Sequence, residues 1–185
     1  YVQKNRNVDV LGTWARTIDE TGRPQKVLRP PTGRLNSFWI WRPPALIHPT
    51  VMIRANVAKA NPFDKEALHC EDYELWLRLF KKGHVLANLP LVFLKYRVHE
   101  NAVTQKFRTQ QLSETYRVFK KYYANVEATS DEFLALCGAS KMNQSLSFGR
   151  RLKLVRQIAG SGVFPPFLVL QQLRAHLLGL FRPAN

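Results

Sequence analysis

The stretch from Glu71 to Lys82, EDYELWLRLFKK, constrains the fold more than any other part of the chain. Tyr73, Trp76, Leu77 and Phe80 recur at i, i+3, i+4 and i+7. Leu75 and Leu79 widen the apolar surface, leaving one narrow polar stripe of Glu74, Arg78 and Lys81/Lys82. The pattern predicts a helix buried on most sides, with Trp76 as core packing. A chain of 185 residues is long enough to provide that core, since it can bury roughly 70% of its unfolded surface. Gly83 supplies a stop, and Lys81 and Lys82 suit the negative end of the helix dipole. At the other end, Glu71 and Asp72 meet exposed backbone N–H groups and the positive end. Capping and dipole complementarity account for an acid there. A single acid would suffice for that.

Upstream, NVDVLGTWARTIDETGRPQKVLRP reads as strand, turn, strand, with Asp19-Glu20-Thr21-Gly22 as the turn. Four prolines at the ends of the segment 30–44 argue for a loop there with a short ordered insert around Phe38, Trp39 and Trp41. Residues 45–54 read as an apolar strand interrupted by His48-Pro49. After Gly83, residues 84–88 and 91–99 read as two extended segments separated by Pro90. In the second, Val92, Leu94, Tyr96 and Val98 share one face, while Lys95, Arg97 and His99 share the other. With the apolar face on the core, two cations and an imidazole project together; an ordinary amphipathic edge strand shows the same alternation. Histidine is also a common metal ligand.

Three strings then acquire a collective meaning: Glu71-Asp72-Tyr73-Glu74-Leu75-Trp76-Leu77-Arg78-Leu79, Asn88-Leu89-Pro90, and Tyr96-Arg97-Val98-His99-Glu100-Asn101. Together they resemble the C-terminal half of bacterial family 2 glycosyltransferases. His48-Pro49-Thr50-Val51-Met52 and Val8-Asp9-Val10-Leu11-Gly12-Thr13-Trp14 resemble that family in the same order, so the likeness covers about residues 1 to 104. It implies an α/β fold, the acceptor-side half of a GT-A (nucleotide-diphospho-sugar transferase) domain, and transfer of a hexose from a nucleotide-sugar donor with inversion. It also implies that the acidic pair Glu71 and Asp72 is catalytic, with Asp72 as the base that takes the acceptor's proton. By the same resemblance His99 approaches the donor diphosphate or its divalent metal, Mg or Mn, with Arg97 as a phosphate partner, and His48 lines the acceptor side.

The departures matter equally. The family's opening strand for the nucleotide base and its Asp-x-Asp-type motif, which holds most of the metal, have no counterpart here; the acids of residues 1–20 are Asp9, Asp19 and Glu20. The glycine-rich turn common before the acidic pair is replaced by Ala60-Asn61-Pro62-Phe63-Asp64. The chain is therefore expected to be a C-terminal fragment lacking the nucleotide-binding half, inactive by itself. Its alternative is a degenerate, non-catalytic binding module.

Residues 105–185 read as a helical, basic C-terminal extension. Leu112, Tyr116, Phe119 and Tyr123 form a stripe, and Thr129-Ser130-Asp131-Glu132 is a capping box. From Phe148, Leu152, Val155 and Ile158 oppose Arg150, Arg151, Lys153 and Arg156. No acid follows Glu132. The apolar run after Pro165-Pro166 carries Gln171, Gln172 and Arg174 and falls short of the ~20 apolar residues of a span. Residues 148–185 thus suit docking on an anionic inner membrane surface, where lipid-linked acceptors are found, or a solvated basic face. The net charge of +15 points to some anionic partner. RNA or DNA would fit the charge and interleaved aromatics, but no nucleic-acid motif accompanies them. Two cysteines, Cys70 and Cys137, are too few for a disulfide framework and favour a reducing, cytoplasmic setting. Partners implied by the family are a nucleotide-sugar donor and a saccharide or lipid-linked acceptor in cell-surface polysaccharide or lipopolysaccharide synthesis.

Overall fold

The computed structural model describes residues 1–37, 39–99, 106–138 and 146–160. Its frame is a curled five-stranded sheet built around β1 (Val10–Ile18), whose residues are almost all buried. On one edge β1 pairs in parallel with the long strand β5 (Leu86–Arg97). On the other edge its two halves take different antiparallel partners, β4 (Met52–Ile53) at Val10–Leu11 and β2 (Pro24–Leu28) from Ala15 onward. The gap between them is filled by the Thr50 hydroxyl, which accepts from the Thr13 N–H at 3.0 Å. A two-residue strand, β3 (Gly33–Arg34), pairs with β5 at Ala87 and Asn88.

The β1–β2 hairpin closes as its turn chemistry requires. Asp19 Oδ1 accepts from the N–H groups of Thr21 and Arg23 and from the Thr21 hydroxyl, at 2.7 to 2.9 Å, and Gly22 sits at φ 88°. These hydrogen bonds, that from the Thr21 side chain foremost, hold the Asp19 carboxyl below its usual range.

Two extended segments depart from expectation. Ala45, Leu46 and Ile47 are buried but not in a strand; the chain passes into a short 3₁₀ turn, His48–Thr50, and only Met52 and Ile53 join the sheet. Proline 49 denies the ladder a donor and breaks the alternation. Conversely, Pro90 does not divide β5. Leu89 lies opposite Thr13 but Val92 opposite Trp14, so Pro90 and Leu91 bulge out of register and the missing N–H is accommodated there. Beyond this bulge Leu91, Val92 and Phe93 are exposed and Leu94, Tyr96 and Val98 only half-buried. The apolar face of residues 91–99 is therefore not a core face along its whole length.

Close approach at the sheet centre fixes one glycine. A Cβ on Gly12 would lie 2.3 Å from Asn88 Oδ1 and 2.8 Å from Leu46 Cδ2. Asn88 cannot retreat, because its Nδ2 donates to the carbonyls of Pro31 and Ala45, both at 2.8 Å. It thereby staples the proline-rich loop to β5.

After the short helix α1 (Ala55–Ala60), α2 (Glu71–Lys81) forms as the periodicity requires, with Gly83 at φ 87° after its end. Its buried face packs into one core with Val10, Leu46 and Leu86 of the sheet side. Among the described residues three further helices complete that core: α3 (Arg108–Tyr122), α4 (Ser130–Leu136) and α5 (Phe148–Gly160). Phe119 of α3 stacks on Phe133 of α4 at 4.5 Å between centroids, and Trp41 leans on both. Thr129 and Glu132 form the reciprocal capping box of α4. The division expected near residue 104 falls outside the described residues, and the helices that follow share the core of α2.

Helix α5 corrects the expected segregation of its faces. Arg151 is buried together with Leu154, Val155 and Ile158, with its Nε donating to the Leu146 carbonyl at 3.0 Å, while Leu152 is only half-buried. Arg150 pairs with Glu132 at 2.7 Å and Lys153 with Glu127 at 3.2 Å. No helix among the described residues is long and apolar enough to cross a membrane. The apolar run after residue 160 lies outside them, as do Phe38, Glu100 and Asn101.

Candidate functional site

A cleft of about 620 Å³ opens where the N-terminus of α2 meets the loop before the 3₁₀ turn. The chain enters α2 through His69, which holds a left-handed backbone (φ 59°) uncommon for a residue with a side chain. Two contacts from α3 and its approach secure that conformation. The His69 ring stacks on Phe107 at 4.3 Å, and the His69 carbonyl accepts from Gln111 Nε2 at 2.7 Å. The N-cap position falls to Cys70, whose side chain makes no capping bond, so the acids occupy the first two helical positions.

Glu71 is exposed and Asp72 half-buried, and both line the cleft. Asp72 Oδ1 accepts from the Tyr73 N–H at 2.7 Å. Burial raises the Asp72 carboxyl above its usual range. The Tyr73 hydrogen bond and the nearby His48 pull the other way, and Glu71 adds to the rise. Desolvation thus outweighs the helix end, a balance that spacing alone left open. The outcome is a positioned carboxylate of enhanced basicity. Its direction is fixed because the next residue, Tyr73, is buried and donates its hydroxyl to the Trp41 carbonyl at 2.6 Å.

His48 reaches the same cleft from the 3₁₀ turn, its ring 5.9 Å from that of Trp76 and 5.8 Å from that of Phe63. Thr50 anchors this turn by its bonds to Thr13 and to the Ile47 carbonyl. Trp76 is buried, as its place on the helix requires, and lines the cleft. Cys70 also lines it, with burial pushing its thiol up to about 12, so it is no nucleophile at neutral pH.

The fold therefore brings His48, Glu71 and Asp72 together. Arg97 and His99 lie outside the lining of this cleft. Tyr96 faces it, and strand alternation turns its neighbour Arg97 away, where Nη1 donates to the carbonyls of Asp19 and Glu20 at 3.0 and 2.6 Å. His99 is exposed beyond the end of β5. Among the described residues no three His, Cys, Asp or Glu side chains are grouped to hold a metal ion. Sequence reasoning missed His69, Gln111 and Thr115 as parts of the site. The two polar residues on α3 flank Leu112 and Tyr116 and were the one available signal; a left-handed histidine leaves none.

The chain is 24% identical over 133 residues to an uncharacterized glycosyltransferase of Methanocaldococcus jannaschii, covering 68% of this chain and 46% of the relative. It is 30% identical over 149 residues to an uncharacterized glycosyltransferase of Haemophilus influenzae, with 68% and 43% covered. An O-antigen biosynthesis glycosyltransferase of Escherichia coli is 31% identical over 109 residues, with 57% and 42% covered. The relatives are named glycosyltransferases. The chain spans less than half the length of each of these relatives. No family model matches, and no solved structure matches significantly. The mixed α/β architecture with its curled sheet fits part of a nucleotide-sugar transferase fold.

Proposed function

We propose that this chain is the acceptor-side part of an inverting, family 2 glycosyltransferase of GT-A fold, and that Asp72 is its general base. The observation that carries the reading is the half-buried Asp72 carboxyl, raised by desolvation and aimed into a cleft of ligand size. An acceptor hydroxyl in the cleft hydrogen-bonds to Asp72. As its oxygen attacks the anomeric carbon, the O–H proton passes to the carboxylate, the new glycosidic bond forms, and the bond to the nucleoside diphosphate breaks on the opposite face with its electron pair. Glu71, at the cleft rim, holds the acceptor and keeps the Asp72 proton affinity high. His48 orients the acceptor from the 3₁₀ turn.

The donor is a nucleotide sugar and the acceptor a saccharide or lipid-linked saccharide of a surface polysaccharide, which agrees with the O-antigen biosynthesis role of the Escherichia coli relative. Arg97 and His99, at the far end of β5, would meet the donor diphosphate. The described residues do not by themselves fit a divalent metal, to which His99 would add one ligand. The proton transfer assigned to Asp72 involves no metal ligand. The experiment that tests the reading is transfer by the complete protein carrying Asp72→Asn; unimpaired transfer overturns it.

Contact with the inner face of an anionic membrane belongs to the same proposal. Leu154 and Ile158 are core residues, so the membrane contact rests on residues 161–185 together with exposed Arg156. Removing 161–185 is expected to abolish flotation with phosphatidylglycerol vesicles at moderate salt. Flotation that persists without them refutes this part.

A further inference from the structure

The family resemblance ends near residue 104, yet part of the cleft wall comes from beyond it: Gln111 and Thr115 of α3 line the cleft together with His69. His69 is gripped from that side. Its ring lies flat on Phe107, at 4.3 Å between centroids and 11° between planes, and its carbonyl accepts from Gln111 Nε2 at 2.7 Å. The Thr115 hydroxyl in turn donates to the Gln111 carbonyl at 2.6 Å. Stacking occupies one face of the imidazole and leaves its edge. Among the described residues neither ring nitrogen of His69 has a hydrogen-bond partner, although the residue is only half-buried and faces the cleft. The left-handed backbone there (φ 59°) suits glycine best, and stacking on Phe107 asks only for a flat ring. Neither feature accounts for the two nitrogens.

We infer that His69 is an acceptor-binding residue: its imidazole hydrogen-bonds an uncharged hydroxyl of the acceptor saccharide while another hydroxyl of the same acceptor lies at Asp72. Helix α3, through Phe107 and Gln111, sets where the first hydroxyl must lie. The inference deepens the proposed function and rests on it for the identity of the ligand as an acceptor. An imidazole in its neutral form carries one donor and one acceptor nitrogen, which matches a hydroxyl that both gives and takes a hydrogen bond. The chain has a net charge of +15, yet no lysine or arginine stands among the described residues that line the cleft. A carboxylate or phosphate there would face Glu71 and Asp72 with no cation beside it, so the cleft disfavours an anionic sugar. Because the stack and the Gln111 bond fix the ring before the ligand arrives, little side-chain freedom is lost on binding. Two fixed points, His69 and Asp72, select which hydroxyl of the ring reaches the base.

The test is transfer by the complete protein over a range of acceptor concentrations, with an organic extract of the membranes of the cells that make it as the source of lipid-linked saccharide. His69→Gly keeps the left-handed backbone and removes the imidazole. It is expected to raise the acceptor KM about tenfold, with kcat and the donor KM changing less than about threefold. Phe107→Leu removes the flat partner and leaves the imidazole free to turn, and should raise the same KM about threefold. His69→Asn, a residue type that tolerates the left-handed region, carries the comparison where the glycine variant melts below the parent; its shorter amide should give a similar rise. An acceptor KM unchanged in both His69 variants overturns the inference, as does a loss carried by kcat alone. A parent that transfers nothing fails the proposed function itself. A parent that transfers, with Asp72→Asn inactive and the His69 variants unaltered, fails only the inference.

Discussion

The complete protein carrying Asp72→Asn is expected to lose about 10²- to 10⁴-fold in kcat, with the donor KM within about twofold of the parent. The amide keeps the size of the carboxyl and an oxygen to accept the Tyr73 N–H, so the first turn of α2 is preserved. It cannot accept the acceptor's proton. In the parent protein transfer should fall as pH drops through the Asp72 pKa, and because burial raises that pKa, the acid limb lies above the ordinary aspartate range near 3.8. The variant should lack that limb. The sign for stability is opposite to that for activity. A carboxyl whose folded pKa is raised favours the folded state when protonated, and loses that contribution as pH rises through the folded value. At neutral pH the ionised, desolvated Asp72 therefore works against folding, and Asp72→Asn should melt no lower than the parent. A lower melting temperature at pH 7 accompanying lost transfer would indicate a damaged helix instead of a missing base.

The second large effect is structural. Glu74, one turn after the acids, is 1% exposed, yet is fully satisfied. Arg78 Nε lies 3.1 Å from both of its oxygens, Arg78 Nη2 binds the Pro62 carbonyl at 2.7 Å, and the Tyr122 hydroxyl donates to Glu74 Oε1. Lys121 stands 3.7 Å away and pairs with Asp64 at 3.0 Å. A single carboxylate thus ties α2 to α3 and to the loop after α1. Glu74→Ala leaves the Arg78 guanidinium and the Tyr122 hydroxyl without their partner and is expected to cost about 3 kcal/mol in urea unfolding. That is the lower end for a broken buried pair, because Arg78 and Lys121 are partly solvated. Tyr122→Phe should cost about 1 kcal/mol. If Glu74→Ala costs no more than Tyr122→Phe, the network does not couple the helices.

What could be read from the sequence was local. The run Tyr73, Trp76, Leu77, Phe80 specifies α2 because every contact that stabilises its turns lies within four residues, and the same holds for the box at Thr129 and the turn at Asp19. What could not be read depends on partners distant in the chain. Pro90 looks like a strand breaker until Thr13 and Trp14 are placed opposite it and the bulge becomes the solution. Arg151 looks like a surface cation until the Leu146 carbonyl covers it. The acidic pair and His48 were legible as a site only through resemblance, and the cleft that unites them is formed by loops whose shape no periodicity encodes. His69 belongs to the same class.

The parallel pairing of β1 with β5 has a kinetic consequence. These two strands make the central seam of the sheet, yet the whole span from residue 19 to residue 85 lies between them, and with it His48, the proline loop, His69 and both acids. Closing so long a loop costs chain entropy before any pairing enthalpy is returned. Helix α2 can flicker into existence early, but the groove it borders has no walls until the seam has closed. Binding competence is therefore the last property this polypeptide gains on folding and the first it loses when the seam opens.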